Sequence, residues 1–430
     1  MKKQIIMFSL ITVFAYVSFP LVALAAERAY VTNEHERSVS VIDTASNIVI
    51  STIAVGNGPA GIAVNPAGTR AYVANGDDST VSVINTATNT VTATVAVGNH
   101  PHEIAMNPEG TRVYVANYDA NNVSVIDTAA NTVIATVAVG YEPWGIAVNP
   151  AGTRVYVTNE HANNVSVIDT AANTVIATVA VGNAPLGIAV NPAGTRVYVA
   201  NEGDENVSVI DTVNNTVIAN VPVAIGPTCI AVNPAGSRVY VACGVISVID
   251  TATNTVTANI AVGCGPDGIA INPAGTRVYV ASEYDKTVSV IDTVNNTVIA
   301  TVEVGCRPFE IAVAQIESGP IISGRVAISI AGHDNLSVRN ATVSLEGTDY
   351  STTTDINGNF IFENVPQGTY TVIIIAPDLV AIRQEITLSE NNVFVDLPLM
   401  KTFGNVNGDG RIGLEEAIHA LQVVSGAIAQ

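Results

Sequence analysis

The 430-residue chain is 48% hydrophobic and only 13% charged, which supplies a large core and excludes a generally disordered chain. Aromatic residues make up 5%, and Val, Ile, Ala, Thr, Asn and Gly fill the space, a balance that favours many short strands and turns over helices. With 17 basic against 37 acidic residues the net charge is −20; such a surface repels phosphate backbones, so nucleic acid is excluded as a partner, while cations, sugars and basic proteins are not.

Residues 1–25 read as a secretory signal peptide. Lys2 and Lys3 precede an apolar run from Ile5 to Leu24, and Ala23-Leu24-Ala25 ends it as a small-residue cleavage site. The reading places the mature chain outside the cell or at the cell surface, with the periplasm as a further compartment. No later stretch is long and apolar enough to span a bilayer, so no transmembrane segment is expected in the mature chain.

From residue 28 to residue 315 the chain repeats. Pro59, Pro101, Pro143, Pro185, Pro227, Pro266 and Pro308 recur every 42 residues, with one step of 39. Each unit holds four Val- and Ile-rich runs of about five residues separated by Gly, Pro, Asn and Asp. A period near 40 with four strands predicts a blade of a β-propeller. The strand around Tyr30, Tyr72, Tyr114, Tyr156, Tyr198, Tyr240 and Tyr279 occurs seven times, and so does the strand after each marker Pro. The chain enters on a Tyr strand (residues 28–33) and leaves on a Pro strand (residues 309–314). The sequence therefore predicts an all-β, seven-bladed propeller with a 3+1 velcro closure, in which the last strand completes the first blade and removes both edges.

Tyr30-Val31-Thr32-Asn33 and Tyr156-Val157-Thr158-Asn159, with the variants Tyr72-Val73-Ala74-Asn75 and Tyr198-Val199-Ala200-Asn201, resemble the YVTN-type β-propeller repeat of secreted and surface-layer proteins. More distant relatives of this group include lactonases and quinone- or haem-dependent dehydrogenases, and no residues here carry those activities over.

In a four-stranded meander the connections alternate between two faces. One face is monotonous: NPAGTR and DTAANT recur, and Asp43, Asp127, Asp169, Asp211, Asp250 and Asp292 are expected to close turns with their own carboxylates. The other varies at every blade, reading GNGPAG, GNHPHE, GYEPWG, GNAPLG, AIGPTC, GCGPDG and GCRPFE across the links. A binding rim is expected there, formed by His100, His102, Glu103, Tyr141, Glu142, the single tryptophan Trp144, Asp267, Arg307, Phe309 and Glu310. His100, His102 and Glu103, with Glu142, also form a possible metal set. No acid pair, Ser/His/Asp set or phosphate loop is visible, which points to a non-enzymatic protein.

Cys229 and Cys243 occupy a Gly and an Asn position of the other blades and are expected to face each other across one hairpin as a disulfide. Cys264 and Cys306 hold equivalent places in successive links and either bridge or stay free.

Residues 320–400 form a second β unit with a hairpin turn at Thr354–Phe360. It resembles the carboxypeptidase regulatory-like domain, a small β-sandwich of the carbohydrate-binding-like fold. Residues 404–430 begin with NVNGDGRIGLEE. Asn405, Asn407, Asp409, Arg411 through its carbonyl, and Glu416 fall at the oxygen-ligand positions of an EF-hand loop, so one Ca²⁺ is expected, with a short helix after it. Loop and helix resemble half of a dockerin, which implies a cohesin-like partner. Together the readings predict a secreted or cell-surface binding or scaffold protein that engages a glycan, peptide or protein partner, with a lactonase-like or metal-dependent enzyme using the funnel rim as the alternative.

Overall fold

The structure is a computed structural model that describes residues 26–316 continuously, residues 12–14, and the strands and turns named below between residues 322 and 400. The expected calcium loop with Asn405, Asn407, Asp409, Arg411 and Glu416, and the helix after it, lie outside the described residues. So do the cleavage site and most of the expected signal peptide.

Residues 26–316 build seven four-stranded antiparallel sheets. Six are continuous in sequence, with inner strands Pro59–Val64, Pro101–Met106, Pro143–Val148, Pro185–Val190, Cys229–Val232 and Pro266–Ile271. They are blades 2 to 7. Blade 1 joins Ala26–Asn33, Ser38–Asp43 and Ile48–Ala54 to the distant strand Pro308–Ile316, which pairs from Ala26↔Ile316 to Asn33↔Pro308. The inner strands touch in cyclic order, and Pro308–Ile316 lies between those of blades 7 and 2. The ring is closed by the 3+1 pairing the sequence predicts.

The hydrophobic core sits between blades. Seven clusters each join one blade to the next; Tyr72, Val81, Val83 and Val95 of blade 2, for example, pack on Ile104, Val113, Val115 and Ile126 of blade 3. All seven repeat tyrosines are almost fully buried in these seams. Outer strands such as Thr132–Ala138 alternate exposed and covered positions because one side faces water. The Tyr240 hydroxyl is buried with no hydrogen-bond partner among the described residues. Tyr240→Phe is therefore expected to leave stability unchanged or raise it by up to about 1 kcal/mol, whereas Tyr240→Ala should cost about 3–5 kcal/mol. Chemical denaturation of both variants checks this; a large loss in the Phe variant would mean that the hydroxyl is satisfied.

The monotonous face closes its turns as expected. Asp127 accepts the backbone N–H of Ala129 at 3.0 Å and of Ala130 at 2.9 Å, and Asn131 takes the left-handed conformation with φ 52°. In the NPAGTR turn, Asn65 accepts from Thr69 and Arg70 at 2.8 Å each, while Gly68 supplies φ +67°.

The four cysteines are free thiols, which corrects the expected disulfide. Cys229 faces Ala242 in the ladder, not Cys243. Neighbouring strand residues point to opposite faces, so the two thiols sit in different seams: Cys229 packs in the blade 6–7 cluster and Cys243 in the blade 5–6 cluster. Cys243 takes the place that Asn75 or Asn159 holds elsewhere. There the amide donates to a Ser hydroxyl at 2.9 Å; here the Cys243 Sγ lies 3.3 Å from Ser247 Oγ. Cys264 and Cys306 stay unpaired.

The second unit, described by itself, has a four-stranded antiparallel sheet of Ser351–Thr353, Thr342–Leu345, Gly368–Ile375 and Ile382–Leu388, and a three-stranded sheet of Asn359–Phe362, Ile322–Arg325 and Val393–Phe394. Val343, Leu345, Val372, Ile374 and Ile386 of the first sheet and Phe360 and Phe362 of the second are buried. The expected turn forms: Asp355 accepts from Asn357 and Asn359 at 2.8 Å each, and Gly358 has φ +79°. Thr12–Phe14 pairs with Pro398–Met400 in a two-stranded sheet.

Candidate functional site in the propeller funnel

Six of the seven inner strands begin at their marker Pro and the blade 6 strand at Cys229, two residues after Pro227, so the two residues after each Pro repeat around the axis. They divide between two cavities, with Trp144 and Phe309 lining both. The first set is Ala60, His102, Trp144, Leu186, Thr228, Asp267 and Phe309. The second is Gly61, Glu103, Gly145, Gly187, Cys229, Gly268 and Glu310. Glycine at the second position lets neighbouring inner strands approach: a Cβ on Gly145 would lie 2.4 Å from the Leu186 carbonyl oxygen.

Two cavities result. The outer one has a volume of about 260 Å³ and is lined by His100, His102, Tyr118, Trp144, Arg307 and Phe309, among others. His102 is its centre. Its ring centroid is 3.7 Å from that of Trp144, 5.1 Å from Phe309 and 6.3 Å from Tyr118, and only 7% of the residue is exposed. Burial, with a smaller push from His100, lowers its pKa to about 3, so the imidazole is neutral. Its Nδ1 is buried without a hydrogen-bond partner among the described residues. His100 stands at the mouth, its ring 6.0 Å from Tyr118.

The inner cavity is narrower, about 40 Å³, and is shared by Glu103, Asp267, Glu310, Cys229 and Thr228, with Trp144 and Phe309 as the partition. Burial and repulsion from Glu310 raise the Asp267 pKa to about 7. Burial likewise brings Glu310 to about 7 and, with the neighbouring Glu310 charge, lifts Glu103 well above the carboxylate range. The Cys229 thiol donates to Glu310 Oε2 at 3.4 Å, and burial raises its pKa. Glu310 N–H donates to Thr32 Oγ1 at 3.0 Å, and that hydroxyl reaches the Ala60 carbonyl at 2.7 Å, tying the axial strand to blade 2.

The expected rim is thus split. His100, His102, Trp144, Arg307 and Phe309 line the outer cavity; Glu103, Asp267 and Glu310 line the inner one. The expected metal set is not assembled, because Glu103 lines the inner cavity while His100 and His102 line the outer one, and Glu142 joins Glu160 and His161 instead. Tyr141 is 55% exposed, with its ring 5.9 Å from His161. Sequence reading missed Tyr118, which opens the YDANN loop. It lines the cavity, places its ring 5.7 Å from Trp144, and hydrogen-bonds Glu142 and Glu160.

A closed ring of four-stranded blades around such a funnel defines a β-propeller. Residues 60–150 match the YNCE-like β-propeller family and residues 321–398 the carboxypeptidase regulatory-like domain, so a YNCE-like propeller domain at 60–150 is followed by a carboxypeptidase regulatory-like domain at 321–398. No curated protein shows significant similarity to the sequence. Among solved structures, Kuenenia stuttgartiensis hydrazine synthase is 23% identical, with a TM-score of 0.55 over 59% of this chain and 88% of its own. A functionally unknown protein of Desulfotomaculum acetoxidans is 19% identical, with a TM-score of 0.60 over 67% of this chain and 99% of its own. A candidate 6-phosphogluconolactonase of Bacteroides uniformis is 16% identical, with a TM-score of 0.58 over 67% of this chain and all of its own, 100%. At these identities the likeness is one of fold. The fold supports a binding or scaffold role.

Proposed function

We propose that the chain is an exported, non-enzymatic binding protein that takes a glycan or peptide into the outer cavity of its propeller. The observation that carries this is His102: a neutral imidazole packed among Trp144, Phe309 and Tyr118, with a buried Nδ1 that no group among the described residues satisfies. Aromatic faces beside a polar atom suit a sugar ring or an aromatic peptide side chain. Export removes residues 1–25, and with them the short pairing of Thr12–Phe14 with Pro398–Met400. The carboxypeptidase regulatory-like domain spaces the propeller from a tail in which Asn405, Asn407, Asp409, Arg411 and Glu416 hold one Ca²⁺. That tail attaches or assembles the protein at the cell surface, with a cohesin-like module as one partner.

Trp144 is the only tryptophan, so its fluorescence reports the cavity directly. Screening glycans and peptides by that signal should give a ligand whose affinity, measured by calorimetry, drops at least about tenfold in His102→Ala and in Trp144→Ala. A panel with no ligand sensitive to either substitution would overturn the reading. The alternative is a hydrolase: Asp267 and Glu310, both brought to about 7 beside a cavity, are suited to proton transfer near neutral pH. Lactone turnover lost on Glu310→Gln would decide for it.

A further inference from the structure

The sevenfold repeat contains its own control experiment. Blades 1 and 4 alone share a Glu-His pair in the loop after the Tyr strand, Glu34-His35 and Glu160-His161, each in a single 3-10 turn. The residue before the marker Pro reaches over that loop. At blade 1 it is Arg307, whose Nε lies 2.5 Å from Glu283 and 3.0 Å from Glu34, and whose terminal nitrogen is 3.2 Å from His35 Nε2. The guanidinium fills the space between two carboxylates and an imidazole.

At blade 4 the equivalent residue is Glu142, and Tyr118 stands where Glu283 does. The cradle keeps its Glu and His, but a phenol replaces one carboxylate, and the cation's own position is taken by a carboxylate. One ligand atom each from Glu142, Glu160 and His161 lies within 4.8 Å of the others. Glu142 Oε2 and His161 Nδ1 are in direct contact, and His161 Nδ1 is 3.8 Å from Glu160 Oε1. The Tyr118 hydroxyl is 2.7 Å from Glu142 Oε2 and 2.9 Å from Glu160 Oε2, yet it has one hydrogen and serves one of them at a time. Both glutamate side chains are only 17% exposed, so water screens their mutual repulsion poorly. Glu142 also holds a left-handed backbone, φ 54°, at a position where blades 2, 6 and 7 use glycine.

We infer that a divalent transition-metal ion occupies the place of the missing guanidinium, bound by Glu142, Glu160 and His161 Nδ1. One imidazole nitrogen with carboxylate oxygens favours Zn²⁺, Co²⁺ or Mn²⁺ over Ca²⁺, whose ligands are all oxygen. His161, 56% exposed, leaves the solvent side of the ion open to water or to a ligand. Tyr118 hydrogen-bonds the ligating carboxylates and packs its ring against Trp144, so the ion fixes one wall of the outer cavity.

The test titrates Zn²⁺ into the full chain by calorimetry after chelator treatment, in millimolar Ca²⁺ so that the C-terminal loop is filled. One Zn²⁺ per chain should bind. His161→Ala and Glu142→Arg should each weaken it at least about tenfold. Glu142→Arg puts the blade 1 cation back beside Glu160 and His161 and so should fold and melt no lower than the metal-free parent, which separates lost ligation from lost structure. In the parent, Co²⁺ should quench Trp144 fluorescence with the same one-to-one stoichiometry. Absence of stoichiometric Zn²⁺ binding, or binding of unchanged affinity in both variants, overturns the assignment.

Discussion

A chain ended after Gly305 is expected to lose cooperative unfolding and to aggregate, whereas one ended after Ile316 is expected to melt as a single unit. The difference is the strand Pro308–Ile316 and its short lead-in. Without it, Ala26–Asn33 becomes an exposed edge whose N–H and C=O groups have lost their partners. Two seams open at once, because Ile311 belongs to the cluster between blades 7 and 1 and Ile316 to the cluster between blades 1 and 2. Each isoleucine contributes about 1.5–3 kcal/mol by burial alone, and the ladder adds roughly 1 kcal/mol for each hydrogen bond. That total is comparable with the whole net stability of an ordinary domain, about 5–15 kcal/mol. Thermal unfolding and size-exclusion chromatography read the outcome, and Ile311→Asp should reproduce most of the loss in the intact chain. Equal melting temperatures for the two truncated chains would show that the ring does not depend on its closing strand.

The ring was legible because its information is periodic. The marker Pro, the buried Tyr and the turn residues recur in register, and the offset between entry and exit strands fixes the closure. The disulfide failed for a local reason. The two cysteines were matched because both replace repeat residues of one hairpin, but the blade 6 ladder runs in register from Cys229↔Ala242 to Val232↔Val239, which leaves Cys243 one residue beyond the partner and on the opposite face. The metal reading at His102 and Glu103 failed against strand alternation, which sends adjacent residues to opposite sides. The Glu142, Glu160 and His161 cluster draws on two separated loops, with Tyr118 reaching in from the neighbouring blade. Its one sequence trace is the exchange of Arg307 for Glu142 beside two copies of Glu-His.

Stability is expected to fall as the pH rises from about 4 to 8, and the axial carboxyl groups set the sign. Asp267 titrates at about 7 in the fold because burial and the nearby Glu310 and Glu283 disfavour its charge, against roughly 3.9 in an unfolded chain. Between those values the folded state keeps a proton that the unfolded state releases, and stability drops by about 1.4 kcal/mol per pH unit for each such proton. The contribution is intact below the unfolded value and gone above the folded one. Glu103 and Glu310 are raised as well and act in the same direction. The turn aspartates, among them Asp127, Asp169 and Asp211, are held below the usual range, chiefly by backbone N–H groups, and so act with the opposite sign only at more acid pH. Asp267→Asn should therefore match the parent near pH 4 and exceed it by about 2–4 kcal/mol at pH 8, with ligand-free urea unfolding at each pH as the measurement. An Asn variant that tracks the parent across the whole range would mean that Asp267 is ionised and solvated at neutral pH, and the inner cavity would then be an open, hydrated channel rather than a buried acid pocket.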